Sequence, residues 1–224
     1  MADIEYVKNY KEKELRQYVL AYLLVTVTFV GFHTITHSGA FDRFEAIFQM
    51  IITDIFVGAI CVLVLIFNEL WSDRTKTKLV YGEMPSGTVF TDIASGKIDA
   101  TGFDLDKAKE LYMALADESE SKQTAEWNLL LRKSRETGRG NVIEAQRMQL
   151  MTRDICMSTI SLLILNIIAI GVLAIVHFDI IFTLKMMAMP IIYLIVMLII
   201  TKIAAQNRAR RFVALVIKND VQDS

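Results

Sequence analysis

A single carboxylate in a long apolar run is the first feature of this sequence that could do chemistry. Asp54 is the only charged residue between Ala46 and Asn68. A carboxylate near the middle of a membrane costs roughly 2.5–3.5 kcal/mol on insertion scales, so it should face protein or water. Helical spacing gives it a mostly small or polar face, made of Asp54, Gly58, Cys61, Leu65 and Asn68. This face predicts either a water-lined pore or a structural pairing between helices.

A second candidate face lies in the preceding apolar run. Thr26, Val30, His33 and His37 recur at helical spacing there, and we include Thr26 and the two histidines among the pore-lining candidates. The two histidines are four residues apart and could bind zinc with a third ligand. No Glu of the metalloprotease type adjoins them, so we favour interfacial histidines and predict no metal and no cofactor.

A basic cluster in the polar middle of the chain is the candidate ligand site. It falls within 16 positions, interrupted by two acids, and consists of Arg132, Lys133, Arg135, Arg139 and Arg147. One interpretation is a solvated helix face. The other is a surface that binds an anionic cytosolic ligand such as a nucleotide or an oligonucleotide.

Four apolar runs must position these residues. They cover Gln17–Phe41, Ala46–Asn68, Ile155–Phe178 and Ile180–Thr201. Each is long enough to cross a hydrocarbon core of roughly 30 Å at 1.5 Å per residue, and in lipid only helices satisfy such a backbone. The 224 residues are 54% hydrophobic with a net charge of −1. A net charge this close to zero excludes an overall electrostatic field that would attract nucleic acid. With two cysteines, the chain cannot have a framework of several disulfides.

The basic residues predict the orientation. Of the 24 Lys and Arg residues, 22 lie in the two tails and in the segment between the second and third runs, and two lie on the other side. The positive-inside rule then places both termini and the middle segment in the cytoplasm. We therefore predict an all-α, multi-pass inner-membrane protein that contacts lipid, with spans at 17–70 and 155–201. The cytosolic parts are a tail at 1–16, a helical domain at 71–154 and a basic helix at 202–224.

Within the cytosolic domain the sequence predicts three helices and a turn-prone stretch. The stretch Gly82–Gly102 is rich in turn residues. The helices are Leu105–Glu118, capped by Asp104, then Thr124–Thr137, and a third from Asn141 that runs unbroken into the third span. Trp127 is expected in the core. Lys202–Lys218 should continue the fourth helix, lying on the inner leaflet or packing on the cytosolic domain.

Enzymatic signatures are missing from the sequence. It has no phosphate-binding loop, no nucleophile elbow and no second membrane carboxylate to partner Asp54. We therefore predict no catalytic residue. A chain of this size with four spans cannot easily enclose a pore alone, so a pore would require a symmetric homo-oligomer. The predicted function is an oligomeric channel or membrane-disrupting effector gated through its cytosolic domain; the alternative is a non-conducting adaptor that tethers a cytosolic partner.

Three short elements resemble a known family. Pro85–Phe90 is similar to a Pro-Gly-x-x-Ala-Phe element, Gln123–Trp127 to a Gln-Asn-x-x-Trp element, and Val142–Ala145 to a closing element. All three occur in an uncharacterised family of bacterial four-span proteins. The match covers about half of the chain and departs from the pattern at Met84, Gly87 and Asn128.

Membrane proteins of this shape resemble the channel effectors of Hailong-type antiviral systems, which occur beside nucleotidyltransferases. The resemblance implies a homo-oligomer, with a tetramer favoured. It also implies a channel held closed by an oligonucleotide, the product of the nucleotidyltransferase partner, and opened on infection.

Overall fold

The described part of the chain is entirely helical. The computed structural model describes residues 15–24, 62–82, 85–97, 103–137, 142–175 and 180–223, and it has no strand in these ranges. The helices found there are α1 (16–24), α2 (62–70), α3 (Asp73–Tyr81), α4 (Pro85–Ala94), α5 (Leu105–Ala116), α6 (Glu120–Glu136), α7 (Val142–Ile175) and α8 (Ile180–Asp223). The all-α prediction is confirmed for these residues.

The chain divides into two compact units. One, here called the insert unit, comprises residues 1–10, 73–153 and 202–224. The other, the apolar unit, comprises residues 11–72 and 154–201. The two long helices α7 and α8 each contribute residues to both units.

Among the residues that the structure describes, two helices are long and apolar enough to cross a membrane. The candidate spans are Val142–Ile168 in α7, with 27 residues, and Pro190–Gln222 in α8, with 33 residues. Length and composition alone do not separate a membrane span from the core helix of a soluble protein, so the polarity of the surfaces must decide between them. The predicted first and second runs lie mostly outside the described residues.

The turn-prone stretch after Gly82 was predicted wrongly, because helix α4 lies inside it. Pro85 is the first residue of α4, where its missing N–H and fixed φ are well tolerated. Val89, Phe90 and Ile93 then recur at helical spacing and are fully buried, and this burial outweighs the weak local preference of the segment for turns.

A glycine ends α4. Gly96 adopts φ +72°, a conformation that costs glycine little and other residues more. Its N–H donates to the Ile93 carbonyl at 3.0 Å, and the Lys97 N–H donates to the Asp92 carbonyl at 2.9 Å. These two bonds form the Schellman motif, which satisfies the last carbonyls of the helix.

The other helices of the insert unit follow the sequence signals more closely. The Asp104 carboxylate accepts from the N–H groups of Asp106 and Lys107 at 3.0 and 3.2 Å, so the predicted N-cap of α5 is confirmed. Helix α6 begins at Glu120, four residues before the predicted start. Helix α7 is continuous from Val142 to Ile175, which agrees with the predicted helix that starts near Asn141 and runs unbroken into the third apolar run.

The C-terminal part of α8 completes the core of the insert unit. Phe212, Val213, Val216, Ile217 and Val221 are buried in one cluster with residues of α4, α5, α6 and α7. The Trp127 ring meets the Phe212 ring edge-on at 6.0 Å between centroids, and Trp127 is buried, as predicted. Of the two placements predicted for this helix, the structure has the one in which it packs on the insert.

Candidate functional site

The surface of the apolar unit is rich in large aliphatic side chains. On α8 an exposed stripe recurs at helical spacing, and each of its side chains is about half exposed: Ile192, Ile195, Val196, Ile199 and Ile200. Helix α2 carries a similar exposed stripe, made of Val62, Leu63, Ile66 and Leu70. Soluble monomers rarely expose contiguous apolar surface of this kind.

The interior of the same unit is partly polar. Buried side chains there include Asn68, Ser158, Thr159, Ser161 and Thr201. The polarity of this unit is therefore partly reversed relative to that of a soluble helical domain, which places aliphatic residues inside and polar residues outside.

Polar contacts join α1 to α7 inside this unit. The hydroxyl groups of Tyr18 and Thr159 are 2.6 Å apart. A second contact lies further along both helices, where the Asn166 amide of α7 donates to the Tyr22 hydroxyl of α1 at 3.0 Å. The Tyr22 ring also stacks on the Tyr193 ring of α8, at 6.1 Å between centroids. Interhelical bonds of this type hold helices together where the hydrophobic effect between them is weak.

Two interior side chains have polar atoms that find no hydrogen-bond partner among the described residues. They are both amide atoms of Asn68, which is 1% exposed, and the hydroxyl of Ser158, which is 0% exposed. Each buried polar atom without a partner costs about 1–3 kcal/mol. Asn68 is one of the residues predicted to line a pore, and it lies in the interior of the unit.

Most other predicted pore residues lie outside the described residues. They are Thr26, His33, His37, Asp54, Gly58 and Cys61, and Arg139 of the basic cluster also falls outside. Their assignment to a pore face or a ligand site therefore stays a prediction.

The described members of the basic cluster all contact polar or acidic groups of the insert unit. Arg132 pairs with Glu136 at 3.0 Å, and Arg147 approaches Glu144 at 3.5 Å. Arg135 donates to the Gln146 side chain at 2.5 Å. An anionic ligand at this surface would have to compete with these internal partners.

Lys133 belongs to a polar cluster that fixes the end of α8. Its ammonium group lies 2.8 Å from the Asp220 carboxylate, which also accepts from the Tyr112 hydroxyl at 2.5 Å. The adjacent Asn219 amide donates to the Ser134 hydroxyl at 3.1 Å, and Lys107 donates to the Val221 carbonyl at 2.9 Å. These contacts, here called the C-terminal clamp, connect three consecutive residues of α8 to α5 and α6.

The clamp changes the titration of Tyr112. Burial raises the pKa of its hydroxyl well above the ordinary value, and the hydrogen bond to Asp220 and the charge of that carboxylate act in the same direction. The hydroxyl therefore stays protonated and keeps donating throughout the physiological range.

Sequence reasoning did not single out the interior polar residues of α7. Ser158 and Ser161 are three residues apart, and Thr159 and Asn166 are seven apart, both spacings that keep side chains on one helical face. The third run contains no charged residue, so a search for charged residues alone does not find this pattern. A search for Ser, Thr and Asn at helical spacing would have found it.

No family model matches the chain, and neither the search of curated proteins nor that of solved structures finds a similar protein.

Proposed function

We propose that this chain is a four-span membrane protein that assembles as a homo-oligomer and forms a channel or membrane-disrupting effector. The cytosolic insert unit gates it. The observation that carries this proposal is the partly reversed polarity of the apolar unit, with exposed aliphatic stripes on α2 and α8 and buried Asn, Ser and Thr side chains inside.

Exposed aliphatic stripes support a lipid environment. Apolar surface left in water costs about 25 cal/mol for each Å², and lipid removes this cost. The buried polar groups support a function beyond anchoring. A purely anchoring bundle gains nothing from an unsatisfied amide or hydroxyl in its interior, and such groups are typical of polar pathways through membrane proteins.

Two continuous helices support control from the cytosolic side. Helices α7 and α8 each extend from the apolar unit into the insert unit without a break in the described residues. A change in the insert unit that favours one arrangement of these helices would shift the equilibrium between closed and open states.

The ligand proposed for the insert unit is an oligonucleotide made by a nucleotidyltransferase partner, in an antiviral system. The resemblance described above supports this assignment, together with the basic cluster around Arg132 and Arg135. Phosphate groups of such a ligand would replace Glu136 and Gln146 as partners of these guanidinium groups.

The test is ion flux through reconstituted protein. Purified chain is placed in potassium-loaded vesicles, and release is followed with a potassium electrode, with and without short oligonucleotides. We expect potassium release above that of empty vesicles, reduced by the oligonucleotide. Vesicles that contain inserted protein and release no more potassium than empty vesicles under either condition would contradict the channel proposal.

The pairing of the basic cluster favours a second candidate, the non-conducting adaptor. Arg132, Lys133, Arg135 and Arg147 already contact groups of the insert unit. Its surface also exposes large apolar side chains, among them Leu111, Met113 and Leu129. An adaptor would retain a cytosolic partner in pull-down experiments and conduct nothing, and replacing Leu129 with Ser would weaken that retention.

A further inference from the structure

The exposed side of α8 changes from aliphatic to basic along one continuous helix. Ile203 is 53% exposed and is the last large aliphatic residue exposed on this helix. Three exposed arginines follow it, here called the basic face: Arg208, Arg210 and Arg211. Arg210 and Arg211 follow Ile203 by seven and eight residues, the spacings that return to the same side of a helix. The side of α8 that carries exposed aliphatic residues therefore becomes basic within about two turns.

The basic face has no acidic partner in the part of the chain that the structure describes. No ion pair or hydrogen bond there engages the side chains of its three arginines. Residues 190–219 of α8 contain no Asp or Glu, and the acid that follows, Asp220, pairs with Lys133 at 2.8 Å. The arginines of α6 differ in this respect, since Arg132 pairs with Glu136 at 3.0 Å. The guanidinium groups of the basic face are therefore available to an external anion.

Helix α3 brings two more cations to the side of α8. The Gln206 amide donates to the Val80 carbonyl at 3.3 Å, so the end of α3 lies against α8 just before the basic face. Arg74 and Lys78 of α3 are exposed and four residues apart, which places them on one side of that helix. The acid at the start of α3 pairs with Arg153 at 2.8 Å, so its charge is compensated there.

The position of the basic face along α8 suits the headgroup layer of a membrane. The polar headgroups add about 5–7.5 Å to each side of a hydrocarbon core of roughly 30 Å. At 1.5 Å per residue, Arg208 and Arg210 lie about 7.5 and 10.5 Å beyond Ile203 along the axis. Helical side chains tilt toward the N-terminus of their helix, which on α8 is the direction of Ile203. A guanidinium group at this level can donate two parallel hydrogen bonds to a phosphate.

We propose that the basic face binds the phosphate groups of anionic phospholipids. Two features identify this partner: the charge of the face is complementary to that of the lipid, and the face follows exposed aliphatic residues on the same helix. Clusters of Lys and Arg directly beyond a membrane span recognise anionic lipids in this way. A zwitterionic lipid gains less, because the face offers no acid to its ammonium group. The inference rests on the proposed function for its membrane setting.

The experiment compares two lipids that differ in headgroup charge. The full-length chain, purified in a mild detergent, is titrated with phosphatidylglycerol or phosphatidylcholine of identical acyl chains, and bound lipid is counted by native mass spectrometry. The test variant is Arg210→Gln, Arg211→Gln. The matched control is Lys97→Gln, Lys122→Gln, which removes the same two positive charges from exposed positions of the insert unit that already have acidic partners.

We expect the wild-type chain to bind phosphatidylglycerol at least about fivefold more tightly than phosphatidylcholine, since one basic residue near an anionic surface contributes about that factor. The arginine variant should lose this preference and the lysine control should keep it. Equal affinity of the wild-type chain for the two lipids, or equal loss of the preference in the two variants, would overturn the proposal. Arg208→Gln alone carries the comparison if the double arginine variant does not fold.

Three further outcomes identify other occupants and separate this inference from the proposed function. A short oligonucleotide that displaces phosphatidylglycerol from the wild-type chain, and does not bind the arginine variant, would assign the face to a soluble anion and overturn the lipid proposal. Binding of neither lipid would contradict the membrane setting and the channel with it. Potassium release from vesicles, without any preference between the lipids, would support the channel and overturn only the basic face.

Discussion

Asp220 connects several parts of the insert unit through one carboxylate. It lies 12% exposed and accepts from Tyr112 while pairing with the half-exposed ammonium group of Lys133. Removing the carboxylate leaves a buried hydroxyl and an ammonium group without their described partner, which is more costly than the loss of a surface ion pair.

We predict that Asp220→Ala lowers the stability of the insert unit by about 1–3 kcal/mol. The measurement is the thermal midpoint of the detergent-solubilised protein. Lys122→Ala is the matched control, because it removes an exposed ion pair with Glu118 and should change stability by less than about 1 kcal/mol. Equal effects of the two substitutions would contradict the role given to Asp220.

The clamp also predicts a dependence on alkaline pH. The pKa of Tyr112 is raised in the folded state, so the fold binds its proton more tightly than the unfolded chain does. This stabilisation is fully present below the unfolded pKa of about 10 and is lost as pH rises above it. We expect the thermal midpoint to fall between pH 9 and 11, and Tyr112→Phe to make that fall smaller. An unchanged fall in the Phe variant would assign the effect to other groups.

At the scale of elements, local signals predicted ends and buried faces better than they predicted the presence of α4. Asp104 caps α5 because its carboxylate reaches two free N–H groups, a contact that depends only on neighbouring residues. The helix at Pro85 depends on burial of Val89, Phe90 and Ile93 against other helices, which local turn preference does not register. The C-terminal clamp could not be predicted from local signals either, because Tyr112 and Asp220 are 108 positions apart.

The end of α4 predicts the effect of glycine replacements. Gly96→Ala should destabilise the protein by about 1 kcal/mol, because alanine is strained at φ +72°. Gly171 offers the opposite case within α7, where a Cβ would meet nothing within 4 Å. Gly171→Ala should raise the stability by about 0.5–1 kcal/mol. Thermal midpoints of the two variants check both signs, and a stabilising Gly96→Ala would contradict the assigned turn.

At the scale of the whole molecule, sequence patterns support more than two spans, and two helices in the described part of the chain meet the criteria for a span. The difference comes from residues 25–61, which lie outside the described residues and contain most of the first two apolar runs. The prediction of the candidate site from sequence was partial for the same reason: Asn68 and four of the five basic residues can be located, and Asp54 cannot.

The predicted orientation can be tested with reporter fusions. Green fluorescent protein fluoresces in the bacterial cytoplasm, and alkaline phosphatase is active outside it. We expect fluorescence for a fusion after Ser224 and for an insertion after Gly96, and phosphatase activity for a fusion truncated at His177. Phosphatase activity at Ser224 would contradict the four-span arrangement.

The contribution of α8 to the insert unit has a consequence for synthesis. Phe212 and Ile217 belong to the same buried core as Phe90 and Trp127, yet the ribosome makes them about 60 residues after Arg153. At 5–20 residues per second this is a delay of about 3–12 s, during which the earlier helices expose their apolar faces. The insert unit can complete its fold only after α8 has been synthesised, so a chain that stops within α8 would present an unfinished domain to chaperones and proteases.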